Sequence, residues 1–417
     1  MTRISFLVPT FNRAAFLGEA LAGICRELGD DDEVLVIDDG STDSTAEVAA
    51  AAGPRVRYLR QENAGKSAAL NLGMTETTGE FVWICDDDDR LRPDVVAPLL
   101  SHLRETGAGF AFGRYTRFDE DSGNDMGTGY WPDLSSGSLI RHILEDAFVM
   151  QNATLIRRSA LKAVGPFSEA MHRSLDYEMF VRLACSFPAS YLDMLIFDQR
   201  KHSGARGPAD MLHEASSSMQ IWNRFDRAIF ENLHRHAPIT LFEAMFDASS
   251  PDLRRRSALL QRAVIMARHN CWDLAYEDLE AAAHQSEHEL DNEERRICAR
   301  ALCGKHGANA LSKELLQELA DLFRSSPICT QIGTAFVRGG LWRLRREAWS
   351  GETGNIYRLV VALGPVRAAR MIAASSKLMG TGDIMERTTL GEYGYVRSRP
   401  IPPVVAVAPV PRTAPTS

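Results

Sequence analysis

Four consecutive carboxylates, Asp86-Asp87-Asp88-Asp89, follow the apolar run Phe81-Val82-Trp83-Ile84-Cys85. At the end of a buried strand such a run repels itself, and a divalent cation relieves the repulsion. Hard oxygen donors suit Mg²⁺ or Mn²⁺. A cation held there would bridge phosphate oxygens and offset the charge growing on a diphosphate leaving group. The same run also reads as a solvated acidic turn that caps the following helix. The run alone does not choose between the two.

The elements that must position these residues follow from the apolar pattern. Ile4 to Val8 reads as a buried strand ended by Pro9-Thr10-Phe11-Asn12-Arg13, and Ala15 to Leu28 has helical spacing. Glu33–Ile37, Val56–Leu59 and Phe81–Cys85 read as further strands, with helices over 42–52, 67–75 and 94–105 between and after them. Strands alternating with helices predict an α/β fold with βαβ units and a mostly parallel, Rossmann-like sheet. In such a sheet, ligands bind outside the carboxyl ends of the strands. Pro9–Arg13, Asp38–Ser41 and Asp86–Asp89 should therefore share one rim. Strand pattern resumes over Phe110–Phe118, residues 119–137 read as a loop, and Asp176 to Ser186 reads as an amphipathic helix.

From about Met211 the composition shifts to Ala, Leu, Glu and Arg with little strand signal, as expected of a helical bundle. Ala258–Ala267 with Leu274–Ala283, and Glu293–Leu302 with Ser312–Phe323, read as helix pairs. The segment 330–380 carries eight Lys/Arg against two acidic residues, in a chain of net charge −8. Phe336, Val337, Leu341, Trp342, Leu344 and Trp349 lie among its arginines, a mixture that suits an interfacial helix on an anionic membrane. Gly339-Gly340 and Pro365 should interrupt a long helix there, and a solvated bundle face is the plainer reading. Beyond Ser398 the chain is rich in Pro, Ala and Val and reads as disordered. The expected division is 1–210, 211–328, 329–397 and a tail of 398–417.

The overall acidity speaks against a nucleic-acid partner. Seven scattered cysteines without a CxxC pair fit a reducing cytoplasm better than disulfides or a zinc site. The N-terminal apolar run is too short for a signal peptide, and no apolar stretch approaches the ~18 residues of a membrane span. The expected location is cytoplasmic, at most peripheral at the inner membrane face.

Taken in order, the motifs of the N-terminal half resemble the inverting family-2 glycosyltransferases of the GT-A fold. Val8-Pro9-Thr10-Phe11-Asn12-Arg13 is similar to the family's opening loop, and the resemblance implies that Pro9, Thr10, Phe11, Asn12 and Arg13 contact the base and ribose of a nucleotide sugar. Val36-Ile37-Asp38-Asp39-Gly40-Ser41 is similar to the second-strand motif, in which Asp39 would accept hydrogen bonds from the base. Asn63-Ala64-Gly65-Lys66 resembles the segment before the third helix, where Asn63 and Lys66 would face the donor and Lys66 would reach its diphosphate. Within the Asp run, the resemblance puts Asp86 near ribose and metal and Asp88 on the metal through the diphosphate. Asp87 would also lie at the donor, and Asp89 would cap the next helix.

Downstream, Gly165-Pro166-Phe167-Ser168-Glu169 and Leu175-Asp176-Tyr177-Glu178 resemble the acceptor-side motif, in which Asp176 matches the base. Leu175 stands where the family has Glu. Direct displacement with inversion needs such a base to take the acceptor hydroxyl proton. The bland alternative for Asp176 is a helix N-cap. Gln199-Arg200-Lys201-His202-Ser203-Gly204 resembles a loop that closes over the donor, with His202 as a third metal ligand or a lone surface histidine.

The implied reaction is transfer from a nucleotide-diphosphate donor, UDP foremost, to an unidentified acceptor hydroxyl, with Mn²⁺ or Mg²⁺ as cofactor. The rival classes are a sugar-1-phosphate nucleotidyltransferase and a non-catalytic sugar-nucleotide sensor or scaffold. The first carries a glycine-rich loop after its first strand, which Pro9-Thr10-Phe11-Asn12 is not.

Overall fold

The strand Ile4–Thr10 (β1) is buried along its whole length, the mark of a central strand covered on both faces. In the computed structural model, which describes residues 3–134, 137–201, 218–248, 250–304, 311–347, 361, 364–376 and 407–411, β1 is flanked by two parallel neighbours. One is Glu33–Asp38 (β2), itself paired with the parallel strand Val56–Arg60 (β3). The other is Phe81–Ile84 (β4). Helices Ala14–Glu27 (α1), Thr45–Ala51 (α2) and Lys66–Glu76 (α3) connect them. The chain thus forms the expected βαβ units, and Phe6 stacks on Trp83 at 5.7 Å between ring centroids.

Beyond β4 the sheet is mixed. After the short strand Arg90–Leu91 (β5), helix Val96–Thr106 (α4) buries Val96, Leu99, Leu100 and Leu103, one stripe of a 3.6-residue period. It leads into Phe110–Asp119 (β6), which pairs with Asp125–Thr128 (β7) inside the segment expected to be a loop. Asp119 donates its backbone N–H to Asn124 O at 3.0 Å, which folds this polar stretch back on itself as a hairpin. Helix Leu139–Glu145 (α5) precedes Thr154–Arg157 (β8), which runs antiparallel to both β4 and β6. Arg158–Val164 (α6) and Leu175–Ser186 (α7) then lead to Ala189–Lys201 (β9), parallel to β6. The sheet order is β3-β2-β1-β4-β8-β6-β9-β5, with β7 on β6.

The chain divides into two compact units: Met1–Ile143 with Ala147–Phe225 and Leu390–Ser417, and Leu144–Asp146 with Asp226–Thr389. The sheet belongs to the first. The second has no strand among its described residues. The two expected helix pairs are present as Pro251–Arg268 with Trp272–Ala283 and as Asn292–Ala299 with Lys313–Ser325. Asp291 and Glu294 form a capping box that sets the start of Asn292–Ala299. Arg256 reaches Glu294 at 2.7 Å with both side chains buried.

Two expectations about the C-terminal part are corrected. The helix Pro327–Glu347 runs through Gly339-Gly340 without a break. A Cβ at Gly339 would lie 1.8 Å from Ala299 O, so this glycine admits a close helix–helix approach rather than ending a helix. Phe336 and Val337 are buried, and Phe336 meets Phe323 at 5.3 Å, so these two serve the core of the unit. Of the tail expected to be disordered, residues 407–411 are described. Val407 and Val410 are buried in the first unit, because paired backbone groups and apolar neighbours offset the cost of ordering them.

Candidate active site

The carboxyl ends of β1, β2 and β4 meet one cleft of about 480 Å³. Its walls include Pro9, Thr10, Phe11 and Arg13 after β1, and Asp39 after β2. Asn63 and Lys66 come from the approach to α3, Asp86 and Asp87 from the end of β4, and Asp176 from α7. Residues some 170 positions apart in sequence are thus assembled on one rim by the parallel strands. Asn12 is not part of the wall. Its amide oxygen accepts the Thr42 N–H at 2.8 Å and its own N–H donates to Ser41 Oγ at 2.9 Å, which ties the first loop to the second.

Asp39 organises the loop that carries Lys66. Its carboxylate accepts the N–H groups of Ala64 and Gly65, each at 2.8 Å, and the Gln61 amide at 2.7 Å. Gly65, at φ 90, occupies backbone space that favours glycine and turns the chain into α3. Lys66 then starts the helix and donates to the Asp86 carboxylate. Burial disfavours the Lys66 charge, but Asp86, Asp176 and Asp87 outweigh it and hold the ammonium above its ordinary value.

The Asp run is not one solvated turn. Asp86 is gripped by Gln151 Nε2 at 2.6 Å and by Asn152, whose Nδ2 lies 3.1 Å from its carboxylate. Asn152 Oδ1 also accepts the Asp86 N–H at 2.7 Å. Burial and the adjacent Asp88 charge push the Asp87 carboxyl up to about 7, against the Thr10 hydroxyl and Arg13. Asp88 pairs with Arg13 at 3.3 Å and does not line the cleft wall itself.

Asp89 is not a helix cap. It is buried, accepts Asn152 Nδ2 at 2.5 Å and the Arg200 N–H at 2.8 Å, and so bolts the Asp run to β9. The helix expected to use it starts later, at Val96, and its first N–H groups go to the Glu27 carboxylate instead. Burial, together with Asp86 and Asp88, raises the Asp89 carboxyl well above its usual range.

Asp176 is the second residue of α7, and Ser174, at φ 54, occupies the N-cap position. The cap reading of Asp176 therefore fails on position. Burial raises its pKa, while the Lys66 charge and the backbone N–H groups at the helix start pull it down. A carboxyl with a raised pKa, open to a cleft, accepts a proton more readily than an ordinary one. Behind it, Glu178 and Arg182 form a buried bidentate pair at 2.9 and 2.7 Å. Arg182 also donates to the carbonyls of Val164 and Pro166, which fastens α7 to the turn before it.

The donor set suits a hard divalent cation of the Mg²⁺ type, which takes one or two carboxylates with phosphate and water completing the shell. Asp86 offers such a carboxylate on the cleft wall, and Asp88 offers another beside Arg13. No group of three or more His, Cys, Asp or Glu side chains able to hold a metal occurs among the described residues. His202 lies outside them.

Gln151, Asn152, His172 and Arg173 are cleft or network residues that sequence reasoning did not single out, whereas Glu169 belongs to the acceptor-side motif read from the sequence. Gln151-Asn152 sits in a short 3₁₀ turn just before β8, and polarity ahead of a short apolar run was the only available signal.

The mixed sheet with its helical connections is a GT-A fold. Residues 5–165 match the family model Glycosyl transferase family 2, which makes this stretch a glycosyltransferase family 2 domain. Glycosyltransferase GlyG of Streptococcus pneumoniae serotype 4 is 35% identical over 125 residues, covering 29% of this chain and 42% of that protein. Chondroitin synthase of Escherichia coli is 26% identical over 241 residues, 57% of this chain and 34% of that one. The chain thus spans less than half the length of these curated relatives. The crystal structure of S. aureus TarS 1-349 in complex with UDP-GlcNAc has a similar fold, with a TM-score of 0.50 at 15% identity, covering 83% of this chain and 92% of that one. No described helix is long and apolar enough to cross a membrane.

Proposed function

We propose that this chain transfers a sugar from a nucleotide-diphosphate donor, UDP foremost, to an acceptor hydroxyl with inversion, in the synthesis of a polysaccharide or glycoconjugate. The observation that carries the reading is the convergence of Lys66, Asp86 and Asp176 in one cleft. The relatives named as chondroitin synthase and GlyG, and the UDP-GlcNAc bound to TarS, support the donor class and the polymer context.

Pro9, Thr10, Phe11, Arg13 and Asp39 form the base and ribose end of the cleft, with Asn12 bracing the first loop and Asn63 beside them. Lys66 faces the diphosphate and offsets charge as the leaving group departs. Asp86, held from both sides by Gln151 and Asn152, keeps one orientation through the reaction. Asp86 and Asp88 would hold Mg²⁺ or Mn²⁺, with His202 as a further ligand, and such a cation neutralises phosphate charge when bound. Asp176 takes the acceptor hydroxyl proton as that oxygen attacks the anomeric carbon, so one displacement inverts the centre.

The basic segment 330–380 is a second proposed surface, a peripheral membrane contact in which the buried Phe336 and Val337 take no part. Calorimetric titration of UDP with and without Mn²⁺, on wild type and Asp88→Ala, tests the donor site. Binding that requires both the metal and Asp88 is expected. Binding of UDP unaffected by either overturns the metal assignment, and no binding of UDP overturns the choice of base.

A further inference from the structure

Five residues near the C-terminus contact the first unit on the far side of α7. Val410 donates its N–H to Glu178 Oε1 at 3.2 Å, and its carbonyl accepts the Ser168 hydroxyl at 2.6 Å. Both backbone groups of one residue are thereby satisfied by side chains of the domain. The Val407 and Val410 side chains are 3% and 4% exposed. Pro409 lies against Gly165, its Cγ 3.8 Å from where a Cβ would stand. Pro409 to Pro411 form one wall of a cavity of about 640 Å³ whose other walls include Leu161, Met74 and Met179.

The sequence of this segment suits the role. In Ala408-Pro409-Val410-Pro411 each proline biases the residue before it toward extended backbone. Neither proline has an N–H to leave unpaired. An extended peptide of this kind loses little conformational freedom on docking, as in recognition of proline-rich segments in apolar grooves.

The groove is joined to the catalytic cleft. Ser168 belongs to Phe167-Ser168-Glu169, which Asn71 of α3 holds from the other side through both backbone groups of Phe167, at 2.8 and 3.0 Å. Glu169 lines both the cleft and the groove. Glu178, which receives the Val410 N–H, lies two residues after Asp176 on the same helix.

We infer that the groove beside α6 and α7 is a docking site for an extended valine–proline peptide, filled in cis by Val407–Pro411, and that its occupation steadies the segment from Gly165 to Asp176. Given the proposed function, this segment is the acceptor side of the cleft, so the tail acts as a positioning clasp. The docking itself does not depend on that reading.

The test uses a fluorescent peptide of residues 404–414 and three proteins: the full chain, the chain ending at Ala406, and full-length Val410→Asp. The cis segment occupies the groove at high effective concentration, so the peptide should bind the truncated chain about tenfold or more tighter than the intact one. It should bind the Val410→Asp chain like the truncated one, which keeps the test valid if truncation impairs folding. A Val410→Asp peptide should not bind, and Ser168→Val in the truncated chain should weaken binding about two- to tenfold. Hydrogen exchange over residues 165–176 should speed up at least about tenfold on loss of the tail. Equal binding to all three proteins, or unchanged exchange in a folded truncated chain, overturns the inference. A dimer that becomes monomeric on truncation overturns the cis assignment in favour of another copy's tail. None of these readouts requires sugar transfer, so their failure is distinct from failure of the proposed reaction.

Discussion

Asn152 holds Asp86 at two points, accepting its backbone N–H at 2.7 Å and donating to its carboxylate at 3.1 Å. The same amide nitrogen reaches Asp89, which is bonded in turn to the backbone of Arg200. One side chain therefore sets where the first and last carboxylates of the run point. Asn152→Ala is expected to lower kcat/KM for sugar transfer by about 100-fold, the cost of a displaced reacting group. It also leaves buried acceptors unpaired, costing about 1–3 kcal/mol of stability by denaturant unfolding. Transfer at the wild-type rate would mean that Asp86 needs no positioning.

Asp176→Asn should reduce transfer by about 10²–10⁴-fold while UDP binding stays within a few-fold of wild type. The base must be ionised to act, and its pKa is raised by burial. Activity is therefore expected to rise with pH through a pKa above the ordinary carboxylate value, and to be lost as pH falls below it. The acid limb of a kcat/KM profile measures this, and a limb at the ordinary value would remove the base from Asp176.

Glu178 and Arg182 are a buried pair, with side chains 2% and 1% exposed. Arg182→Ala leaves the Glu178 charge uncompensated and frees the carbonyls of Val164 and Pro166. A loss of about 3–5 kcal/mol is expected on urea unfolding. Because α7 carries Asp176, transfer should also fall in the fraction that remains folded. An unchanged melting temperature would contradict the network.

Gly339→Ala probes the helical unit alone. The new methyl meets Ala299 O, so the helices must separate at a cost of about 1–3 kcal/mol. Ala is the better helix former by roughly 1 kcal/mol, so a stabilised protein in thermal melts would mean the helices do not approach so closely.

The expectation at Asp89 illustrates where reading the chain stopped short. A carboxylate ahead of a helix is a sound cap in isolation. Only the fold brings Asn152 and Arg200, 63 and 111 residues away, onto its two oxygens. The β7 hairpin was missed for a related reason. Its Gly- and Asp-rich residues carry no strand pattern, and their pairing comes from β6 beside them.

By itself, the sequence determined the alternation of strands and helices, the shared rim after β1, β2 and β4, and the carboxylates that meet there. Apolar periodicity and turn residues are local properties, and parallel strands bring their carboxyl ends together whatever else the chain does. The tertiary structure alone decided which oxygens are already taken, that Lys66 rests on Asp86, and that Val410 sits against Ser168 and Glu178. These are contacts between residues far apart in the chain, set by packing and by the need to pair buried polar groups. No local pattern encodes them.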